Sequence, residues 1–200
     1  MKKLVKILGL LLVAGALFVG CKQEANIDAT EVKLSNGNWD MYFVMSATIS
    51  ESDGYKMAIE EKMSGAIKVD GETFTYLSYT ATGSMIITCP SAEVAAAAAQ
   101  DSDVLKLMMG EDIEGDFTVK VDGAKIIVSA SETATAEQLA NMNKGTNLVS
   151  KVFDYSDDEG VVIKTNKKKT EYKITYTEKA DPDDEDDYDV NYTITLKKQK

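Results

Sequence analysis

Carboxylates are the side chains this sequence concentrates most: seven of the nine residues from Asp181 to Asp189 are acidic. Hard cations such as Ca²⁺ take oxygen ligands, so such a run is the first place to look for a metal. An EF-hand loop begun at Asp181 would need glycine at its sixth position and glutamate at its twelfth, where the chain has Asp186 and Tyr192. The run is therefore expected to be a solvated hairpin tip whose charge keeps a sheet end soluble, and no resident metal is expected. Asp183, Glu185 and Asp187 are the positions a weakly held cation would use.

Other chemistry is thin. The 200 residues carry 22 lysines, no arginine and no histidine against 33 acids, for a net charge of −11. Without histidine there is no Ser-His-Asp triad, no Cys-His dyad and no histidine-based zinc site. Without arginine there is no bidentate phosphate clamp. Dinucleotide, Walker A and nucleophile-elbow motifs are all missing from the chain. No spacing singles out a pair of carboxylates for glycoside hydrolysis. The acid excess opposes a phosphate backbone, so nucleic acid is excluded as a partner. An enzyme is not expected, and no cofactor is implied. Cys89, between Thr88 and Pro90, has no histidine to activate it and is expected to be a small buried residue.

Nine methionines and nine tyrosines accompany a single tryptophan. Trp39, Met41, Phe43, Met45, Tyr76, Tyr172, Tyr176 and Tyr192 are the candidate ligand contacts, because alternation places them on inward faces. With Met57, Met63 and Met85 they either line an adaptable apolar cavity or simply fill the interior.

The elements that would position these residues are mostly strands. Trp39, Met41, Phe43, Met45, Ala47 and Ile49 alternate with more polar neighbours. An odd-numbered apolar face continues through Met57, Ile59, Met63, Ile67 and Val69, interrupted by Glu61. Residues 56 to 63 also fit a short helix, but strand alternation is preferred. Asp70-Gly71 and Asp122-Gly123 each close a tight hairpin within a repeated Lys-Val-Asp-Gly. The flanks agree poorly, so one hairpin solution reached twice is expected rather than an internal repeat. A last hairpin alternates Tyr172, Ile174 and Tyr176 with polar residues, then Tyr188, Val190, Tyr192, Ile194 and Leu196 likewise. Lys167 to Lys169 and Lys197, Lys198 and Lys200 should meet at the end away from the acidic run. They either solvate the sheet edge or approach lipid headgroups. Two or three short helices interrupt the strands. One is capped by Ser91 and resumes through Leu105 to Met109; another opens on the capping box from Thr135 to Gln138 and ends by Gly145. The fold class is mainly β, an antiparallel barrel or half-barrel with helical decorations.

Ahead of the domain, Lys2, Lys3 and Lys6 precede an uncharged run from Ile7 to Val19, which is 13 residues long. That is the build of a secretory signal and too short for a permanent span. Its close, Phe18-Val19-Gly20-Cys21, resembles the lipobox of bacterial lipoproteins, with phenylalanine where leucine is usual. The resemblance implies cleavage after residue 20, diacylation of Cys21 with palmitate-type chains, and a lipid-anchored life in the bacterial cell envelope. Residues 1–20 are then signal, 21–36 a lipidated N-terminus and flexible tether, and 37–200 the domain. Cleavage removes three lysines and no acid, taking the charge from −11 to −14. Lys22, where inner-membrane retention favours aspartate, points to the outer membrane or cell surface.

Gly37-Asn38-Trp39 entering a one-sided strand resembles the Gly-x-Trp opening of lipocalin-like (calycin) barrels. The hairpin from Gly115 to Val128 is similar to one common in lipocalin-like lipoproteins. Those barrels often place a basic side chain over the tryptophan, a part only lysine can play here. The resemblance implies a lipoprotein that binds a small apolar or amphipathic ligand. The alternative is a non-enzymatic surface or envelope protein-interaction lipoprotein, adhesin-like or structural, with a filled core. Expected partners are the membrane, through the acyl chains, and a small hydrophobic ligand or an envelope protein.

Overall fold

Strict alternation over long stretches yields long strands, and among the described residues nine strands, long and short, share one antiparallel sheet. The computed structural model describes residues 25–27, 32–50, 54–101, 117–145, 147–149, 161–180 and 188–200. The elements are β1 (Ala25–Ile27), β2 (Gly37–Ser50), β3 (Lys56–Asp70), β4 (Thr73–Thr88), α1 (Ala92–Ala98), β5 (Phe117–Asp122), β6 (Lys125–Thr133), α2 (Ala136–Met142), β7 (Val162–Thr165), β8 (Glu171–Glu178) and β9 (Val190–Lys198). Their order across the sheet is β1-β7-β8-β9-β2-β3-β4-β6-β5. Among the described residues the sheet is not closed into a barrel, and β1 and β5 are its edges. The mainly β, antiparallel class expected from sequence is present, without the closed form of the barrel. Among the described residues no helix is long and apolar enough to cross a membrane.

The inward face carries the core. Trp39, Met41, Phe43, Met45 and Ala47 of β2 are all buried, as their alternation predicts. Across the register, Ile59, Met63, Ile67 and Val69 of β3 join them on one side, and Ile194 and Leu196 of β9 on the other. Residues 56 to 63 are strand, not helix.

One irregularity resets this face. The register between β3 and β4 shifts at Ala66/Ile67, so that Ala66 faces Ser78 while Ile67 faces Tyr76. Leu77 is the extra residue and is left 46% exposed. The bulge explains how even-numbered Phe74 and Tyr76 and odd-numbered Met85 and Ile87 all lie buried on one strand. Beside it, a Cβ on Gly65 would stand 2.4 Å from the Ser78 carbonyl oxygen, so this close approach requires glycine.

Both Asp-Gly turns form as expected. Gly71 and Gly123 have φ of 61° and 58°, and the residue after each has no positive φ. That matches a two-residue turn with glycine at its first central position. The caps also form: Ser91 Oγ accepts from the Val94 amide at 3.2 Å. Thr135 and Gln138 complete the reciprocal capping box at 2.7 and 3.2 Å. Helix α2 stops at Met142, with Asn143 as its cap, short of Gly145. Asn143 earns its place by clamping the backbone of Tyr76, donating to its carbonyl and accepting from its amide. The continuation through Leu105 to Met109 lies outside the described residues.

The stretch expected as a free tether contributes to the sheet. Ala25–Ile27 pairs with β7, and Leu34 is buried in the core. Backbone pairing with Thr165, Lys164 and Ile163 holds a segment whose three residues carry no strand signal of their own.

Candidate functional site

The candidate contacts Trp39, Met41 and Tyr172 are at most 1% exposed, and Phe43, Met45 and Tyr76 at most 8%. Tyr176 and Tyr192 are half-buried. These side chains meet one another: Trp39 and Tyr172 ring centroids are 6.1 Å apart, Phe43 and Tyr192 5.9 Å, and Tyr176 stacks on Tyr192 at 5.7 Å. The structure therefore brings most of them together as packing. Cys89 is buried, which pushes its thiol pKa up and keeps it protonated.

At the floor, the Trp39 indole N–H donates to the Ser35 carbonyl at 2.9 Å. The Lys198 ammonium stands 5.9 Å from the Trp39 ring centroid. The same ammonium donates to Ser35 Oγ at 2.6 Å and to the Asn36 carbonyl at 3.0 Å. The hydroxyl of Tyr172 donates to the Lys33 carbonyl at 3.0 Å. Burial raises the Tyr172 pKa, and its hydrogen bonds to Lys33 and Thr165 partly offset this.

Above the floor, the acids on the inward face include Glu61, level with Met45 and Gly83, Glu132, opposite Ala81, and Glu178, opposite Val190, whose carboxylate accepts from the Tyr192 hydroxyl at 3.0 Å. Burial raises the Glu61 pKa. Tyr79 lies nearby, its pKa raised by burial, then by the Glu132 and Glu61 carboxylates, and its hydroxyl donates to Met63 Sδ at 3.6 Å. Tyr76, more deeply placed, is pushed up to about 12 by burial and then by Tyr79.

An open depression of about 480 Å³ lies on the outer face, across β3, β4, β5 and β6. Two cross-strand rows build its floor: Ser84, Ser129 and Thr118 in one, Thr82 and Ser131 in the other. Their side chains are short, and the longer Glu60 and Lys62, paired at 2.5 Å, form a wall. Thr82 and Thr118 donate to the carbonyls of Lys62 and Ser129, each at 3.3 Å, so these hydroxyl protons are already engaged by backbone. The wall's two charges offset each other. Sequence reasoning did not find the depression. Each residue is an ordinary polar position of an alternating strand, and the register that assembles them joins residues from 60 to 131.

Among the described residues no three His, Cys, Asp or Glu side chains are grouped to hold a metal ion. Asp183, Glu185 and Asp187 lie outside the described residues, as does Cys21. No family model, no curated protein and no solved structure matches this chain.

Proposed function

We propose that this chain is an acyl-anchored lipoprotein of the bacterial cell envelope that works as a binding module, without catalysis, through the outside of its sheet. The lipobox-like run ending in Cys21 supports the anchor. The observation that carries the binding mode is the packed inward face. Trp39, Met41, Phe43, Met45, Tyr76 and Tyr172 are all buried against neighbours, which favours a filled core over a carrier's cavity. The outer depression is then the place for a contact with an envelope component. Kinship with lipocalin-like barrels, which often set a basic side chain over the tryptophan, is supported by the Lys198 ammonium 5.9 Å from the Trp39 ring centroid.

The test has two readouts. Cells fed a tagged fatty acid should label the wild-type protein and not the Cys21→Ser variant. Purified protein titrated with parinaric acid, a fluorescent fatty acid, should show no saturable uptake. Label persisting on Cys21→Ser overturns the anchor, and saturable uptake restores the carrier.

A further inference from the structure

The floor end of the sheet gathers the cations of a strongly acidic chain. The turn joining β7 to β8 presents Lys167, Lys168 and Lys169, all exposed. The Lys198 amide donates to the Thr170 carbonyl of that turn at 2.8 Å, so the last lysines, through Lys200, end beside it. Lys68 is exposed at the same end, opposite Asn38. Among the described residues the carboxylates here are Asp40, Asp70, Glu72 and Glu171. Asp40 accepts from Gln199 at 2.7 Å, and Glu171 stands opposite Lys197 in the register. The acidic run, by contrast, joins the opposite ends of β8 and β9.

The anchor leaves from the cationic end. Ala25, first residue of β1, pairs with Thr165, next to the lysine turn. Only Lys22, Gln23 and Glu24 separate it from Cys21. Four Cα steps span at most about 14 Å. The 14 residues of β2 alone run about 45 Å. A chain that short keeps the floor within reach of the leaflet.

We infer that the lysine-bearing floor of the sheet docks on the anionic lipid leaflet that holds the acyl chains. This rests on acylation of Cys21. The mature charge of −14 repels such a leaflet as a whole, but screening confines the interaction to groups within about 8 Å, where the lysines dominate. Each lysine at the surface enriches the docked orientation about fivefold. The outer depression is then held away from the lipid.

The intact acylated protein, in a Cys89→Ala background, carries a bimane label at Lys168→Cys or, on α1 at the far end, at Glu93→Cys. It is reconstituted in phosphatidylcholine vesicles with or without phosphatidylglycerol, each containing a headgroup nitroxide quencher. Quenching at position 168 should exceed that at 93 severalfold in the anionic vesicles. It should fall in neutral vesicles, at high salt, and when Lys167→Glu and Lys169→Glu are added. Equal quenching at the two positions, or quenching at 168 indifferent to lipid charge and salt, overturns the proposal. A purified mass without acyl chains instead overturns the anchor on which it rests.

Discussion

The tetrapeptide Lys-Val-Asp-Gly occurs twice in this chain and meets two different fates. Both copies make the same turn, with Gly71 and Gly123 at nearly equal positive φ and open space around each. Yet Val69 is 1% exposed and Val121 40%. The first copy ends β3, between β2 and β4, and Val69 packs beside Phe74 at the floor. The second ends β5, which has one neighbour and lies at the sheet edge. Local sequence sets the turn; the number of flanking strands sets the burial. The same division separates a filled floor from the open depression beside β5.

The largest test of that division removes the floor itself. Trp39→Ala should cost about 3–5 kcal/mol in urea unfolding, the range for deleting a buried aromatic. Phe117→Ala, at the edge, should stay within about 0.5 kcal/mol of wild type. A comparable loss at both sites would break the comparison. Next, Val69→Ala should cost about 1–2 kcal/mol and Val121→Ala less than about 0.5, although their sequence neighbours match. Gly71→Ala and Gly123→Ala should instead cost similar amounts, about 1–2 kcal/mol each, because the positive φ is common to both. Unequal costs here would mean the turns differ after all.

The smallest effect concerns Glu61, whose burial raises its carboxyl above the usual 4.5. The folded chain then holds this proton longer than the unfolded one, so stability falls as pH rises from about 4.5 through the folded value. Glu61→Gln should therefore unfold at higher urea than wild type at pH 7, with the gap closing below about pH 4. A gap that widens in acid would reverse the sign and the assignment.

Much of the fold was legible because β2 alternates without interruption and because the Asp-Gly turns, the Ser91 cap and the Thr135–Gln138 box act over a few residues. Long-range register was not. Nothing local announces that Leu77 is the extra residue of a bulge, or that β4 pairs with β6 while the earlier β5 is displaced to the edge. Ala25–Ile27 joins the sheet only through β7, far along the chain. The inward candidates were correctly grouped by alternation, but alternation does not distinguish a lined cavity from a filled one. That depends on which side chains become neighbours along the face, as Tyr176 and Tyr192 do across β8 and β9 and Phe43 and Tyr192 do across β2 and β9, which only the register decides. The outer depression was hidden for the same reason, since Ser84 and Ser129 become neighbours only in the register.

The filled interior is the central claim, and native mass spectrometry of the intact acylated protein, released from detergent and compared with its denatured mass, tests it most directly. The account predicts one mass in both states, that of the chain with its covalent acyl groups. A stoichiometric extra mass that is lost on denaturation would contradict it, placing a bound molecule where this account has only side chains.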